Sequence, residues 1–269
     1  MNDDEEASHG IKKPEISRFA FAMFDVLGFS NWIAETPLQE ILDAYHVLIE
    51  DVVVKPNSKG GVGAIQMPEG AVLTVTGPPG YAYFSDTILI WYTLVPAFVD
   101  SFVSSCNDLV CQALSMDIPL RGAIALGDAV LDPDAGMFLG TPIVEAANLE
   151  KGQNWVGTTL GKSAIWSPFL AQMHGTSIIE YAPPMKERYR EFASPIVLDW
   201  PRRWRDTNEI PLAEKLQSLN KKPEKSLYWD NTIAFAEYSE RKHDWHLRPD
   251  EIPSDAILRL VSRGDADYG

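Results

Sequence analysis

The feature that most limits how this chain can fold is the run Arg18-Phe-Ala-Phe-Ala-Met-Phe24. It is apolar on consecutive positions, short, and bounded by polar residues, which suits a strand buried on both faces at the centre of a sheet. It ends on Asp25, and Gly28-Phe29-Ser30 then opens a helix. A sheet must therefore form around this strand, with a carboxylate at its end beside a helix start.

The remaining elements follow from periodicity and turn chemistry. Over residues 32–54 the positions Ile33, Leu38, Ile41, Leu42, Tyr45, Leu48 and Ile49 recur at helical spacing, divided by Pro37. Residues 56–70, rich in Gly, Asn, Ser and Lys, read as a loop or an extended insertion. Two β-rich runs, 71–75 and 81–92, flank Thr76-Gly-Pro-Pro-Gly80, which predicts a hairpin turn. Residues 96–116 form a long amphipathic helix, 120–126 a third inner strand, and 132–140 a turn leading into another strand. A helix over 142–151 with Thr141 as N-cap, a strand at 158–160, a helix over 162–173 and late strands at 178–179 and 196–198 follow.

Residues 201–223 read as polar and irregular, and 228–241 as helical. Strand, helix, hairpin, helix, strand is the order of an α+β fold of ferredoxin-like type: a mainly antiparallel sheet with helices on one face, here carrying a C-terminal helical appendage. The expected organisation is an acidic tail (1–15), a main domain (16–200) and a C-terminal extension with one helix (201–269).

Charge narrows the function. The 269 residues carry a formal net charge of -15, which disfavours nucleic acid as a partner. A small phosphorylated ligand remains compatible if metal ions and backbone amides neutralise it locally. No apolar stretch approaches the ~18 residues of a membrane span, and the opening MNDDEEASH is unlike a secretory signal, so a cytoplasmic protein is expected. Cys106 and Cys111, five apart in an apolar helix, read as small buried hydrophobes. His9, His46, His174, His243 and His246 show no ligand spacing.

Two aspartates stand out. Asp25 reads either as a helix N-cap or as a ligand for a divalent cation that bridges to phosphates on the free amides of the helix start. Asp86, within Tyr81-Ala-Tyr-Phe-Ser-Asp-Thr-Ile-Leu-Ile-Trp91, is either exposed at a sheet edge or held by metal, because a bare carboxylate in so apolar a strand is costly. Paired carboxylates on neighbouring strands suit a two-metal phosphoryl or nucleotidyl transfer site.

Phe24-Asp25-Val26-Leu27-Gly28-Phe29-Ser30 resembles the first metal motif of class III nucleotide cyclases, and Phe84-Ser85-Asp86-Thr87 resembles their second, on a hairpin. Arg121-Gly-Ala-Ile-Ala-Leu-Gly127-Asp128 is similar to a later strand of that family, and Gly140-Thr-Pro-Ile-Val-Glu-Ala-Ala147 to the segment after it. The resemblance runs in order over about residues 18–164.

It implies Mg²⁺ or Mn²⁺, two ions per site, held by Asp25, Asp86 and the Val26 carbonyl. It implies a nucleoside triphosphate substrate, pyrophosphate lying along Leu27, Gly28, Phe29 and Ser30, and a homodimer. Arg121, or else Lys162, is the candidate for positive charge at the α-phosphate, although Arg121 reads equally as a structural strand arginine. Two departures matter. Glu145 stands where the family has a helix Asn, with no arginine after it on the helix, and Ala82 stands where purine cyclases carry a base-reading Lys or Glu.

Ala82, Phe84 and Asp86 alternate onto one strand face, which places Ala82 on the site side. A missing purine reader resembles the Pycsar branch of uridylate and cytidylate cyclases. This implies UTP, or less readily CTP, as substrate and a separate effector for the cyclic product in anti-phage signalling. A cyclase-like binding module that has lost its turnover, and a purine cyclase, are the rival readings. Trp155 reads as a core or interface residue, or a base-stacking one, and Arg202-Arg-Trp-Arg205 as a solvated turn with an aromatic anchor, or as a phosphate contact across a dimer.

Overall fold

A computed structural model describes residues 15–57, 61–66, 72–77, 79–165, 177–220 and 226–246. The acidic N-terminal tail, most of the helix expected over 162–173, His9, His174 and the chain after His246 lie outside them. The central strand β1 (Ser17–Val26) is buried on alternating sides, as its unbroken apolar run requires. Ala20, Ala22, Phe24 and Val26 face the main core, while Phe21, flanked by Phe19 and Met23, faces a second cluster.

Gly28, at φ 82, turns the chain out of β1 into α1 (Phe29–Glu35), a backbone angle that a residue with a Cβ rarely takes. Pro37 then opens α2 (Leu38–His46), which runs on through a π-helical stretch (Val47–Val54) into the short α3 (Lys55–Asn57). The hairpin β2 (Gly61–Gln66) and β3 (Val72–Gly77) forms a separate two-stranded sheet. The chain continues with β4 (Gly80–Phe84), β5 (Thr87–Thr93) and the long helix α4 (Pro96–Ser115). That helix closes in a left-handed turn at Asp117 (φ 64), with Ile118 N–H on the Ala113 carbonyl at 2.9 Å and Asp117 N–H on Leu114 at 3.1 Å.

Next come β6 (Leu120–Asp132), β7 (Met137–Gly140), α5 (Thr141–Gly152), β8 (Thr158–Gly161), β9 (Ile178–Glu180) and β10 (Ala193–Leu198). The main sheet runs β4-β5-β1-β6-β8-β10-β9, with β7 paired to β6. Among the described strands the pairing is antiparallel except for β6 with β8. The first four strands in space, β4-β5-β1-β6, have the ferredoxin-like order that the sequence predicts. Residues of α2, the π-helical stretch and α4 (Ile41, Leu48, Phe102, Leu109) share the main core on one face. On the other face α5 covers β1 and β6, with Ala146 and Leu149 against Phe21, Ala123 and Ala125.

The structure differs from expectation in four places. Helices cover both faces of the sheet rather than one, because Ala146 and Leu149 give α5 an apolar side that packs on Phe21, Ala123 and Ala125. The Gly-Pro-Pro-Gly segment does not turn one strand back on the next. The strand before it pairs with β2, and the run over 81–92 is itself folded into the hairpin β4–β5. Thr141 is the first helical residue of α5 rather than its cap, a role taken by Gly140. Residues 201–220, the described part of the segment expected to be irregular, carry two helices: α6 (Trp200–Thr207) and α7 (Leu212–Leu219) precede the last helix, α8 (Ser226–His246).

Each of those short helices buries a single i,i+4 pair, Trp200 with Trp204 and Leu212 with Leu216, too little for periodicity to register among charged neighbours. Trp204 therefore anchors a helix rather than a turn, its Nε1–H donating to the Ile210 carbonyl at 2.8 Å. Among the described residues no helix is long and apolar enough to cross a membrane.

The C-terminal helix is tied to the body through a buried carboxylate. Asp199 is buried, and Ser239 Oγ donates to its Oδ1 at 2.5 Å while Arg205 Nη2 donates to Ser239 Oγ at 3.0 Å. Burial pushes the Asp199 carboxyl above the ordinary value, and the Ser239 hydrogen bond and the arginines pull it back. Ser239→Ala removes the direct donor and is expected to destabilise the protein by about 1–3 kcal/mol, measured by denaturant unfolding at neutral pH.

Candidate active site

Asp25 is the next-to-last residue of β1 and stands opposite Thr87 of β5 on one side and Arg121 of β6 on the other. Asp86 is not within a strand, as the apolar run had suggested. Ser85 and Asp86 form the two-residue turn between β4 and β5, and Asp86 is partly exposed. A turn rather than strand burial therefore brings it to the site, so the desolvation argument made for it from sequence does not apply. Two backbone features fix the turn: Ser85 adopts φ 56, and the Asp86 carbonyl accepts the Val26 N–H at 2.8 Å. That second bond ties the turn to the residue following Asp25, so the two carboxylates share one end of the sheet.

Their electrostatics agree with this proximity. The Asp25 carboxyl is raised above its ordinary value, first by burial and further by the charge of Asp86, while Arg121 opposes both. A site in which burial and a like charge outweigh an ion pair is short of positive charge. All the donors are hard oxygens, two carboxylates and nearby backbone carbonyls, which fits Mg²⁺ or Mn²⁺. Among the described residues there is no cluster of three or more His, Cys, Asp or Glu suited to a metal. Cations held here would need water or phosphate oxygens to complete their shells.

Arg121 is held on every nitrogen. Nη2 meets Asp25 Oδ2 at 3.1 Å, Nε donates to Glu150 Oε1 at 2.6 Å, and Nη1 reaches the Gln153 carbonyl at 3.3 Å and Tyr228 Oη at 3.4 Å. Its side chain is 12% exposed and that of Glu150 7%. Burial raises the Glu150 carboxyl, and Arg121 counters that rise. Of the two sequence readings, the contacts favour a guanidinium that clamps Asp25 over one reaching for a phosphate.

Glu150 was not singled out as part of this site. The signal was present: α5 buries Ala146, Leu149, Glu150 and Gly152, and a carboxylate on a buried helix face calls for a partner. Gln153 was missed as well. Its Nε2 donates to the Gly122 carbonyl at 2.6 Å, and its Oε1 accepts from Trp155 Nε1 and Thr159 Oγ1, each at 2.7 Å.

The other candidates fall as follows. Leu27, Gly28, Phe29 and Ser30 join β1 to α1 next to Asp25, and the first-turn amides of Phe29 and Ser30 precede any intrahelical acceptor. Ala82 sits in β4 opposite Leu89 and packs against the second-face cluster, whereas Phe84 is 53% exposed. Lys162 is not brought near the aspartates within one chain. It follows β8, whose parallel register places neighbouring Ser163 against Leu126, at 2.8 Å from Ser163 Oγ to the Leu126 N–H. Five residues of β6 separate that level from Arg121, roughly 16 Å along the strand.

Glu145 turns to the same far end, its Oε1 accepting the Ser163 N–H at 3.2 Å. Trp155 is fully buried, edge-on to Phe235 at 4.7 Å between ring centres, so it is a core residue and cannot stack on a base. Cys106 and Cys111 are free and buried, as expected.

No protein-family model matches the sequence, and no curated relative does. Solved structures to which the chain is similar include a bacterial light-regulated adenylyl cyclase, 10% identical over 78% of this chain at a TM-score of 0.45, of whose length the chain covers 58%. The guanylyl cyclase Cya2 is 9% identical over 69% of this chain and 91% of its own, at a TM-score of 0.38. A class III adenylyl cyclase-like ATP-binding protein from Pseudomonas aeruginosa is 10% identical over 84% of this chain and 43% of its own, also at 0.38. The chemistry of the site rests on its own residues.

Proposed function

We propose that this protein is a nucleotidyl cyclase that converts UTP, or less readily CTP, into the 3′,5′-cyclic monophosphate and pyrophosphate. One observation carries the reading. Asp25 and Asp86 come from separate elements and are fastened together at one end of the sheet by the Val26–Asp86 bond, beside the first-turn amides of α1. Asp25, Asp86 and the Val26 carbonyl would hold the divalent cations, which supply charge stabilisation at the phosphates and favour ionisation of the ribose 3′-hydroxyl. The bond formed joins O3′ to the α-phosphorus, the bond from that phosphorus to the bridging oxygen breaks, and the 3′-hydroxyl proton passes to water. Pyrophosphate leaves toward the amides of residues 28–30, since the Leu27 N–H is taken by the Pro119 carbonyl at 3.0 Å.

Arg121, gripped by Glu150, holds Asp25 in position. Ala82 offers no side-chain hydrogen bond to a purine, which is why a pyrimidine is preferred in this proposal. Ala82→Lys and Ala82→Glu are expected to leave UTP and CTP turnover no higher than wild type, measured as cyclic product by chromatography. A rise in pyrimidine turnover would remove the argument from Ala82.

The aspartate pair and Lys162 lie at opposite ends of one sheet. A homodimer arranged head to tail would set one chain's Lys162 near the other's aspartates and supply the charge at the α-phosphate that Arg121, already engaged, does not. An anti-phage signal read by a separate effector, made in the cytoplasm, is the role that suits a cyclic pyrimidine nucleotide.

The engagement of Arg121 and the turning of Glu145 to Ser163 also suit a second reading, a nucleotide-binding module without turnover. Incubation with each of the four nucleoside triphosphates and Mn²⁺ separates the two. Cyclic product with pyrophosphate is expected from UTP, and binding with no product from any of the four refutes the cyclase.

A further inference from the structure

Tyr45 lies at the end of α2, beneath the β4–β5 turn, with 6% of its surface exposed. Its phenol donates to the Ser85 carbonyl at 2.7 Å. The ring is stacked on Trp32 of α1, with centres 6.1 Å apart and planes 17° apart, and leans on Tyr83 of β4 at 5.6 Å. This ladder of rings joins the helix after Asp25 to the hairpin that carries Asp86.

The Ser85 carbonyl belongs to the peptide unit that leads into Asp86. Ser85 holds φ 56, a left-handed angle that a residue with a Cβ avoids unless its surroundings enforce it. The peptide on the other side of Asp86 is held by Val26 N–H at 2.8 Å. Asp86 is thus pinned through both of its peptide units, one to the strand of Asp25 and the other to Tyr45. Burial, and then the charges of Asp86 and Asp25, push the phenol well above its ordinary ionisation range, so it stays a donor at working pH.

We infer that Tyr45 is a positioning residue of the cation site: by holding the Ser85 carbonyl it orients the peptide plane before Asp86 and so aims the Asp86 carboxylate beside Asp25. The inference rests on the proposed metal site and adds a residue from a third element to it. Tyr45→Phe keeps the ring ladder and removes only the hydroxyl. In the full-length protein the variant is expected to bind Mn²⁺ alone roughly three- to tenfold more weakly by titration calorimetry, the size of one net hydrogen bond.

Amide hydrogen exchange across residues 84–87 should quicken, and kcat should fall more than KM rises. Because the ring remains in place, the melting temperature should change by only a few degrees. Wild-type uptake of Mn²⁺ matched by equal uptake in Tyr45→Phe, with exchange over 84–87 unchanged, overturns the inference and leaves the site reading intact. A wild-type protein that takes up no Mn²⁺ overturns the metal site and this inference together.

Discussion

Asp86→Asn is expected to cut cyclic-product formation by about a thousandfold or more, while the protein melts at or slightly above the wild-type temperature. The loss follows from the placement of Asp86 on a turn tied to the end of β1. Among the described residues no ion pair engages its carboxylate, whereas Arg121 pairs with Asp25 at 3.1 Å. Removing one of two anionic ligands costs several kcal/mol of charge stabilisation, and each ~1.4 kcal/mol is a factor of ten in rate.

Stability should not suffer, because Asp86 raises the Asp25 carboxyl by like-charge repulsion. Its neutralisation relieves a folded-state cost and moves Asp25 back toward its ordinary value. The measurement is product formation from UTP with Mn²⁺, alongside a thermal melt. Retained turnover would refute the metal assignment; lost turnover with a collapsed melt would make Asp86 a structural residue. If the site is shared between two copies, mixing inactive Asp86→Asn chains with inactive Lys162→Ala chains should restore part of the activity, since each hybrid keeps one intact pairing. Failure of the mixture would place the α-phosphate charge elsewhere.

The sequence showed most where a residue's type conflicted with its surroundings. The apolar run ending on Asp25 predicted a central strand with a carboxylate at its tip, and β1 has that form. The order of elements predicted a ferredoxin-like sheet with a hairpin beside the central strand, although the hairpin is β4–β5 and not 71–75 with 81–92. Less legible was the break at Ser85–Asp86, because the turn uses a serine at positive φ where a glycine or asparagine would have announced it. Helices α6 and α7 were hidden since a single buried i,i+4 pair per helix leaves no period to see.

The clamp around Arg121 was illegible for a different reason. Its members are Asp25 of β1, Glu150 of α5, Gln153 beyond it and Tyr228 of α8, and only the packing of α5 and α8 against the sheet brings them together. The same holds for Lys162, whose distance from the aspartates depends on the parallel register of β8 with β6.

Arg121→Met is expected to be the most destabilising single change at the site, costing about 3 kcal/mol at pH 8. Methionine fills much of the same volume, so the loss comes from charge: it leaves the buried Glu150 carboxylate and the partly buried Asp25 carboxylate without their cation. For a chain of this size that corresponds to a fall in melting temperature of roughly 6–12 °C. The deficit should shrink as the solution is acidified.

Both carboxyls already titrate above their ordinary values of 3.8 and 4.5 in the folded protein, because burial outweighs the pull of Arg121. A carboxyl raised in this way binds its proton more tightly folded than unfolded. Its penalty is therefore absent at low pH and grows as the pH climbs past the unfolded value and through the folded one. Without Arg121 the downward pull is gone, both folded values rise further, and the penalty at pH 8 grows. As the pH falls, a growing part of each carboxyl is protonated in the variant, and a neutral acid needs no guanidinium beside it.

Denaturant unfolding of wild type and Arg121→Met at pH 5, 6.5 and 8 reads this directly, with the gap between the two proteins widening with pH. A gap that stays constant would assign the role of Arg121 to packing rather than to charge. A gap that widens would also account for the arginine's place beside a prospective cation site: it holds Asp25 ionised and aimed, yet leaves Asp86 open.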